Sequence, residues 1–519
     1  MEKTKNIFEE ILISPNHNEQ IVSIICNAIT SCFPEEHERI NKILNNIINN
    51  EKKEIKKECY KGLPENLPSL RALIWKINFK YLPRNIKKWE FTLKSLRDEY
   101  KEIKNAVIER QKEEMKIFEE IKNKNNKKDI KDNKNKNINL NSINNIQNDI
   151  NKINFEESKN SNINIIDEDS LNKSLILLAE STDKKLLETI NKDINRTYST
   201  LNFFSKPINN KIKFSPEEIN NLYFQKKSCI YQDSTLVYTK GRKSNDLCDK
   251  EIHSDVLERI LYIYAKINKD VGYVQGMNAI LAPIYYCYCL DNTCEKENIE
   301  ADTFWSFYYL MDDIKKIFQK KNDSLKGGIF DKIILLELMV SKIDKDIFNK
   351  LQKNNKIDSF YFAIKWVNLF FSQQLIMPDI LRLWDIIFSE DDRYFFVYVF
   401  SLAILEYKKK DILNKDYYEI VEKLQNINLE NIEQILKIAF NIRNSHSKEI
   451  KEILYYYNGL GIHDIENKKK ENIKINKVNS IQDNNNDKLK INDYKGNLIY
   501  INNIHKSHAH RPISSYKLK

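Results

Sequence analysis

Glycine and proline are scarce in this chain: its 519 residues contain only 9 Gly and 10 Pro. Tight turns consume these two residues, so their scarcity argues against a sandwich or barrel built on many hairpins. It predicts helices joined by polar loops, an all-α fold. Cysteine is thin as well. The 8 copies, Cys26, Cys32, Cys59, Cys229, Cys248, Cys287, Cys289 and Cys294, form no CxxC pair. A reduced, cytoplasmic setting fits that usage. No apolar run reaches the roughly 18–20 residues of a membrane-spanning helix. The most apolar stretches, Ala279–Leu290 and Tyr394–Leu405, read as core helices. Met1-Glu2-Lys3-Thr4-Lys5 leads into no long apolar run, so no secretory signal is expected. Neither end carries a myristoylation or prenylation motif.

Several chemical signatures are missing too. There is no phosphate loop, no dinucleotide glycine fingerprint, no HExxH and no GxSxG. An intrinsic hydrolase or nucleotide-binding site of those kinds is therefore not expected. The net charge is +10, with 41% hydrophobic and 30% charged residues. Much of the basic excess sits in Lys/Asn tracts and reads as solvated chain. No nucleic-acid recognition motif accompanies it, so no nucleic-acid partner is expected. His505, His508 and His510 cluster near the C-terminal end. They lack the spacing of a closed metal site and read as part of a solvated basic tail, so no metal site is expected.

What is present is amphipathic periodicity. Residues 1–58 form a helical lead-in, with Ile21, Ile24, Ile25, Ala28 and Ile29 in register. Gly62-Leu63-Pro64 breaks the chain before a helix whose Leu70, Leu73, Ile74 and Ile77 share a stripe with Trp75. Another helix runs from about Trp89 to Glu119, so residues 59–119 form the first part of a domain. Residues 120–165 are rich in Lys, Asn, Asp and Ile and read as a disordered insert. The domain resumes over 166–460, with a loop-like spacer at 206–249. From His253 to about Tyr457 it is nearly continuous helix, broken near 292–300, 320–328 and 389–393. Residues 461–519 read as a disordered basic tail. No internal repeat of solenoid period is found.

Three blocks carry candidate chemistry. The first is Ile190-Asn191-Lys192-Asp193-Ile194-Asn195-Arg196-Thr197. On a helix Leu187, Ile190 and Ile194 point inward, while Asp193 and Arg196, three apart, share a face. From the spacing alone a surface ion pair, worth about 0.2–1 kcal/mol, is the favoured reading. The second is Val271-Gly272-Tyr273-Val274-Gln275-Gly276-Met277-Asn278. Glycine permits unusual dihedrals and close approach, and Gln275 stands where a helix begins, near free backbone N–H groups. A tight interhelical turn capped by Gln275 fits as well. The third spans Phe360–Asp385, with Trp366, Phe370, Phe371 and Leu381-Arg382-Leu383-Trp384-Asp385. Its aromatics read as core, and Arg382 and Asp385 as a buried or half-buried pair.

In this order the three blocks resemble the signature elements of the TBC domain, the Rab GTPase-activating family. Ile190, Asp193 and Arg196 match its arginine motif. Tyr273, Gln275 and Gly276 match its glutamine motif, and Arg382–Asp385 its RLWD-like helix. Further matches are Gly62-Leu63-Pro64 through Leu70-Arg71 and Trp75, Leu257-Glu258-Arg259-Ile260-Leu261, and Asp302-Thr303-Phe304-Trp305. The resemblance covers roughly residues 60–110 and 170–440, and is closest to the subgroup with a long spacer between the arginine and glutamine motifs. Family members often have proline soon after Arg-Thr, where this chain has Tyr198-Ser199.

The resemblance implies a multi-helix TBC domain that accelerates GTP hydrolysis on a Rab-type small GTPase in its GTP-bound form, and so regulates vesicle traffic. Arg196 would supply a trans arginine, with a typical gain of about 10³–10⁵ in rate, or roughly 4–7 kcal/mol of barrier. Gln275 would position the attacking water. Asp193, Gly272, Tyr273, Gly276 and Asn278 would support the pair, and Trp75, Arg382, Trp384 and Asp385 would serve the scaffold. No cofactor of its own is implied, since GTP and Mg2+ belong to the partner. No transmembrane segment is implied, and peripheral contact with endomembranes is compatible with the reading. Two alternatives stay open: a non-catalytic Rab-binding scaffold, and a helical adaptor whose basic tail engages acidic partners.

Overall fold

The computed structural model describes residues 18–129, 183–199, 201–208, 251–319, 328–427, 429–459, 489–492 and 498–501. In chain order the helices are α1 (Glu19–Ser31), α2 (Pro34–Ile48), α3 (Lys52–Lys61), α4 (Pro68–Asn78), α5 (Trp89–Asp129), α6 (183–195), α7 (His253–Ile267), α8 (Met277–Cys289) and α9 (Lys296–Ile314). They continue with α10 (Ile329–Ile343), α11 (Lys345–Phe348), α12 (Phe360–Asn368), α13 (Met377–Ser389), α14 (Arg393–Tyr407), α15 (Lys409–Asn414), α16 (Tyr417–Gln425) and α17 (Ile432–Gly459). The expected all-helical fold is present. One addition falls within 461–519. There β1 (Leu489–Asn492) and β2 (Leu498–Ile501) pair antiparallel, with Leu489 opposite Ile501. The apolar/polar alternation of Leu489-Lys490-Ile491-Asn492 has the two-residue period of a strand. Helix α5 continues past Glu119 to Asp129. The rest of the 120–165 insert, most of the 206–249 spacer and the histidines of the tail lie outside the described residues.

Two compact units divide the chain. The first comprises residues 1–92, 210–238 and 279–519, and the second residues 93–209 and 239–278. The first unit is organised around α14, in which every residue from Arg393 to Leu405 is buried. A helix apolar on all sides must be surrounded by others, and α10, α12, α13 and α17 all pack on it. Trp75 from α4 and Trp384 from α13 are fully buried and meet over Phe388, at ring separations of 5.3 and 5.0 Å. Trp366 is also fully buried, so the three tryptophans are core anchors as their helical spacing suggested. Ala279–Leu290 and Tyr394–Leu405 are buried throughout. Among the described residues no helix is long and apolar enough to cross a membrane.

Arg382 and Asp385 do not form the pair expected from their spacing. Asp385, fully buried, accepts from Arg71 Nε at 3.0 Å and from Trp75 Nε1 at 2.8 Å. Arg382 turns the other way. It donates to the carbonyls of Cys59 and Tyr60 at the end of α3, and to Glu433 at 2.8 Å. Those carbonyls lie in the last turn of a helix, where a cation is favoured, and that of Cys59 also accepts from Gly62 N at 3.2 Å. Gly62 ends α3 with φ of 92°, and a Cβ there would lie 3.1 Å from Arg382 Nε. The dihedral favours glycine there, and an added Cβ would also press on the guanidinium, which would have to give by a few tenths of an ångström. A second buried carboxylate, Asp302 of α9, accepts from Lys76 at 2.7 Å and from Tyr81 at 2.7 Å.

Removing one partner of a buried ion pair leaves a charge without compensation. Asp385→Ala is expected to cost about 3–5 kcal/mol by removing the acceptor of Arg71 Nε and Trp75 Nε1. Glu433→Ala, at a half-exposed pair, is expected to cost less than about 1 kcal/mol. Urea denaturation of both variants checks this ordering, and equal costs would refute it.

Candidate functional site

The arginine and glutamine motifs both lie in the second unit. Helix α6 presents Ile190 and Ile194 inward, fully or almost fully buried, with Leu187 half-buried. It is tied to α7 near both ends. Asn191 Nδ2 donates to Glu258 Oε1 at 3.2 Å, and Asp183 accepts from Tyr262 at 3.1 Å and Lys266 at 2.6 Å. Early residues of α6 meet late residues of α7, so the two helices run antiparallel. Asp193 is 3% exposed although ionisable, while Arg196, in the turn after the helix, keeps 56% of its side chain exposed.

Asp193 uses each carboxylate oxygen on a different motif. Oδ1 accepts from Arg196 Nη2 at 2.5 Å, and Oδ2 from the Tyr273 hydroxyl at 2.6 Å. The i,i+3 ion pair anticipated from spacing is therefore present, and it is also one arm of a bridge. A guanidinium has five N–H donors. The Nε and Nη1 groups of Arg196 have no partner among the described residues. Burial, and next the hydrogen bond to Asp193, raise the Tyr273 phenol well above the usual tyrosine range. It stays a neutral donor at any physiological pH.

Asn278 closes the network. Its Nδ2 donates to Thr197 Oγ1 at 2.7 Å and to the Asp193 carbonyl at 3.3 Å. Its Oδ1 accepts from Gly276 N at 3.2 Å, in the turn that begins α8. Tyr273 also lies 3.3 Å from Asn278 Oδ1. A phenol has one proton to give, and the shorter, charge-assisted contact to Asp193 takes it. Thr197 donates in turn to the Asp193 carbonyl at 2.7 Å. Sequence reasoning passed over Thr197; its only signal there was its place beside Arg196.

The glutamine turn is built for exposure. Gly272 has φ of 64° and Gly276 of 103°, a region open to glycine and costly to other residues. A Cβ on Gly272 would meet nothing within 4 Å, so its dihedral alone demands glycine. Gly272 N closes the turn on Asn268 O at 2.7 Å, and Met277 N on Val274 O at 3.1 Å. Between them Gln275 is exposed, and its amide has no partner among the described residues. After Arg196 the chain turns through Tyr198, at φ of 45°. Proline, fixed near −65°, could not occupy that position. Tyr198 stacks on Phe204, and Phe203 on His253 at 4.2 Å, which secures the segment to the start of α7. Among the described residues no group of three or more His, Cys, Asp or Glu side chains could hold a metal ion.

Among the described residues, the Tyr273 hydroxyl is the one side-chain donor from the glutamine motif to the Asp193 carboxylate. Tyr273→Phe leaves a buried carboxylate oxygen unsatisfied and is expected to cost about 1.5–3 kcal/mol. The change is read from the urea midpoint. A loss below about 0.5 kcal/mol would mean the bridge contributes nothing beyond ordinary scatter for surface changes.

Comparison with known proteins bears on this arrangement. Residues 208–413 match the model of the Rab-GTPase-TBC domain, a range that contains the glutamine turn and α13 and begins after Arg196. TBC1 domain family member 13 of Homo sapiens is 37% identical over 196 residues, covering 38% of this chain and 49% of the relative. A TBC domain-containing protein of Schizosaccharomyces pombe is 30% identical over 208 residues, covering 37% of this chain and 33% of the relative. The chain thus spans half or less of the length of these curated relatives. The solved Ypt/Rab-GAP domain of Gyp1p has a TM-score of 0.48 at 20% identity, covering 79% of this chain and 98% of that one. Over residues 208–413 the chain thus matches the Rab-GTPase-TBC domain, and over a comparable length it is similar to these TBC proteins.

Proposed function

We propose that this chain accelerates GTP hydrolysis on a Rab-type small GTPase, supplying Arg196 and Gln275 in trans. The observation that carries the reading is the Asp193 bridge. One carboxylate holds the arginine and the tyrosine two residues before the glutamine, so two exposed donors arise from one braced frame. GTP hydrolysis spreads negative charge over the transferring oxygens and needs an aligned water. Arg196 keeps its Nε and Nη1 groups for that charge. The Gln275 amide, with a donor and an acceptor, orients the water. Asp193, Tyr273, Asn278, Gly272 and Gly276 act by positioning. The nucleotide and its Mg2+ come with the partner in its GTP-bound form, and this chain contributes no cofactor. Such an activity would end the membrane-bound phase of a Rab cycle and so regulate vesicle traffic from the cytoplasm, with peripheral contact at endomembranes.

Single-turnover GTP hydrolysis over a panel of Rab proteins tests the proposal. Arg196→Ala is expected to lower the acceleration by about 10³-fold or more, with Gln275→Ala also strongly impaired and both folded by circular dichroism. Acceleration untouched by Arg196→Ala would sink the catalytic role. Binding to a GTP-loaded Rab with no acceleration would identify a scaffold instead.

A further inference from the structure

The first unit holds a cavity of about 340 Å³ with charged side chains in its lining, between the start of α3, the end of α4 with the segment after it, and the α13–α14 junction. Its size is at the low end for small-molecule sites, roughly 300–1,000 Å³. Lys52, Lys56, Lys80, Arg84 and Arg393 line it, against the carboxylates of Asp313, Glu390 and Asp391. Five cations face three anions, which leaves two positive charges over.

The carboxylates are already engaged. Glu390 accepts from Lys56 and Tyr60, Asp391 pairs with Lys52, and Asp313 pairs with Lys80 and Arg393. Arg84 is exposed and makes no ion pair among the described residues. Two donors on the cavity residues are buried without an acceptor, Arg393 Nε and Asn78 Nδ2. The Arg393 side chain is only 8% exposed. Burial, and next the charges of Arg84 and Lys56, hold the Lys52 ammonium below the usual lysine range, against the pull of Glu390. Burial likewise lowers Arg393, opposed by Asp313. Surplus cations and orphaned donors both call for an acceptor of negative charge.

We propose that this cavity binds a phosphomonoester on a small polyol body, either free in solution or presented as a lipid headgroup. A phosphomonoester carries about −1.5 to −2 charge near neutral pH, which matches the two unbalanced cations. Its three terminal oxygens can pair with the cations of the rim, Arg84 foremost, which makes no ion pair among the described residues. Lys80 and Arg84 stand at the mouth, where the Lys80 side chain is 73% exposed. The remaining volume accommodates the polyol. Asp391, itself 78% exposed, can release Lys52 at small cost, because such a surface pair is weak.

The test uses the full chain with inositol trisphosphate in calorimetry, and vesicles of phosphatidylcholine with phosphatidylinositol monophosphate in sedimentation. Vesicles charge-matched with phosphatidylserine separate headgroup recognition from the general attraction of a chain with net charge +10. Lys80→Ala/Arg84→Ala removes two exposed cations and is expected to weaken binding by about tenfold or more. Lys437→Ala, an exposed lysine outside the cavity, is expected to leave it unchanged. Binding of inositol trisphosphate alone assigns a soluble ligand; binding that extends to the phosphoinositide vesicles, above the phosphatidylserine control, assigns a headgroup. Failure of both probes to bind, or affinity unaltered in the double variant, would overturn the proposal.

Discussion

One buried carboxylate joins the arginine motif to the glutamine motif. Asp193 is nearly inaccessible to water, so each of its oxygens must find a donor inside the protein. The donors it finds are Arg196, three residues on, and Tyr273, 80 residues away in the chain. Neither bond would be strong on the surface. Desolvation makes them obligatory, because a carboxylate buried without partners is far costlier than one in water. The same burial forces Asn278 and Thr197 to saturate each other and the Asp193 carbonyl. The result is a small polar network with fixed partners, from which Arg196 and Gln275 emerge uncovered.

The first unit uses the same physics for a different end. Asp385 and Asp302 are fully buried, and each ties one helix to distant residues, Arg71 and Trp75 in one case, Lys76 and Tyr81 in the other. A close-packed apolar core resists sliding through shape alone, without selecting particular partners. A buried carboxylate with two specific donors adds that selection, since any shift breaks charged bonds that water does not replace. These ties hold α4, α9 and α13 in one register. Gly62 shows how tightly this is set, since a single methyl group there would press on the Arg382 guanidinium.

Helices were legible in the sequence because their period is local, and the buried tryptophans were legible because apolar stripes predict burial. Partner choice was not. Asp193 and Arg196 are three apart, as are Arg382 and Asp385, yet only the first two meet. The difference lies outside either motif. Asp385 has a donor 314 residues away with which it is wholly desolvated, and Arg382 has the last-turn carbonyls of α3 within reach. Spacing states which side chains could touch, and the competition for buried partners settles which do. Tyr198 is a second case. Nothing in its sequence position announces a left-handed dihedral, which here follows from stacking on Phe204 and from the turn closed by Leu201 N on Tyr198 O. The ribbon of β1 and β2 is a third, where composition argued for disorder while a short alternation carried the strand signal.

A group that acts on another protein's nucleotide must be both exposed and oriented, and these demands conflict. An exposed arginine normally samples many rotamers, and ordering it on arrival costs free energy of roughly 2 kcal/mol for such a side chain. Anchoring Arg196 through one Nη2 donor to a buried, doubly held carboxylate removes part of that freedom beforehand and leaves its other donors available. Gln275 is restrained differently, by the left-handed glycines on either side of it and the closed turns that flank it. Preorganisation of this kind matters most where catalysis consists of positioning and charge stabilisation with no covalent step. On the proposed function, it also accounts for the polar network stopping short of the two side chains: a fully satisfied Arg196 or Gln275 would have nothing left to offer a partner.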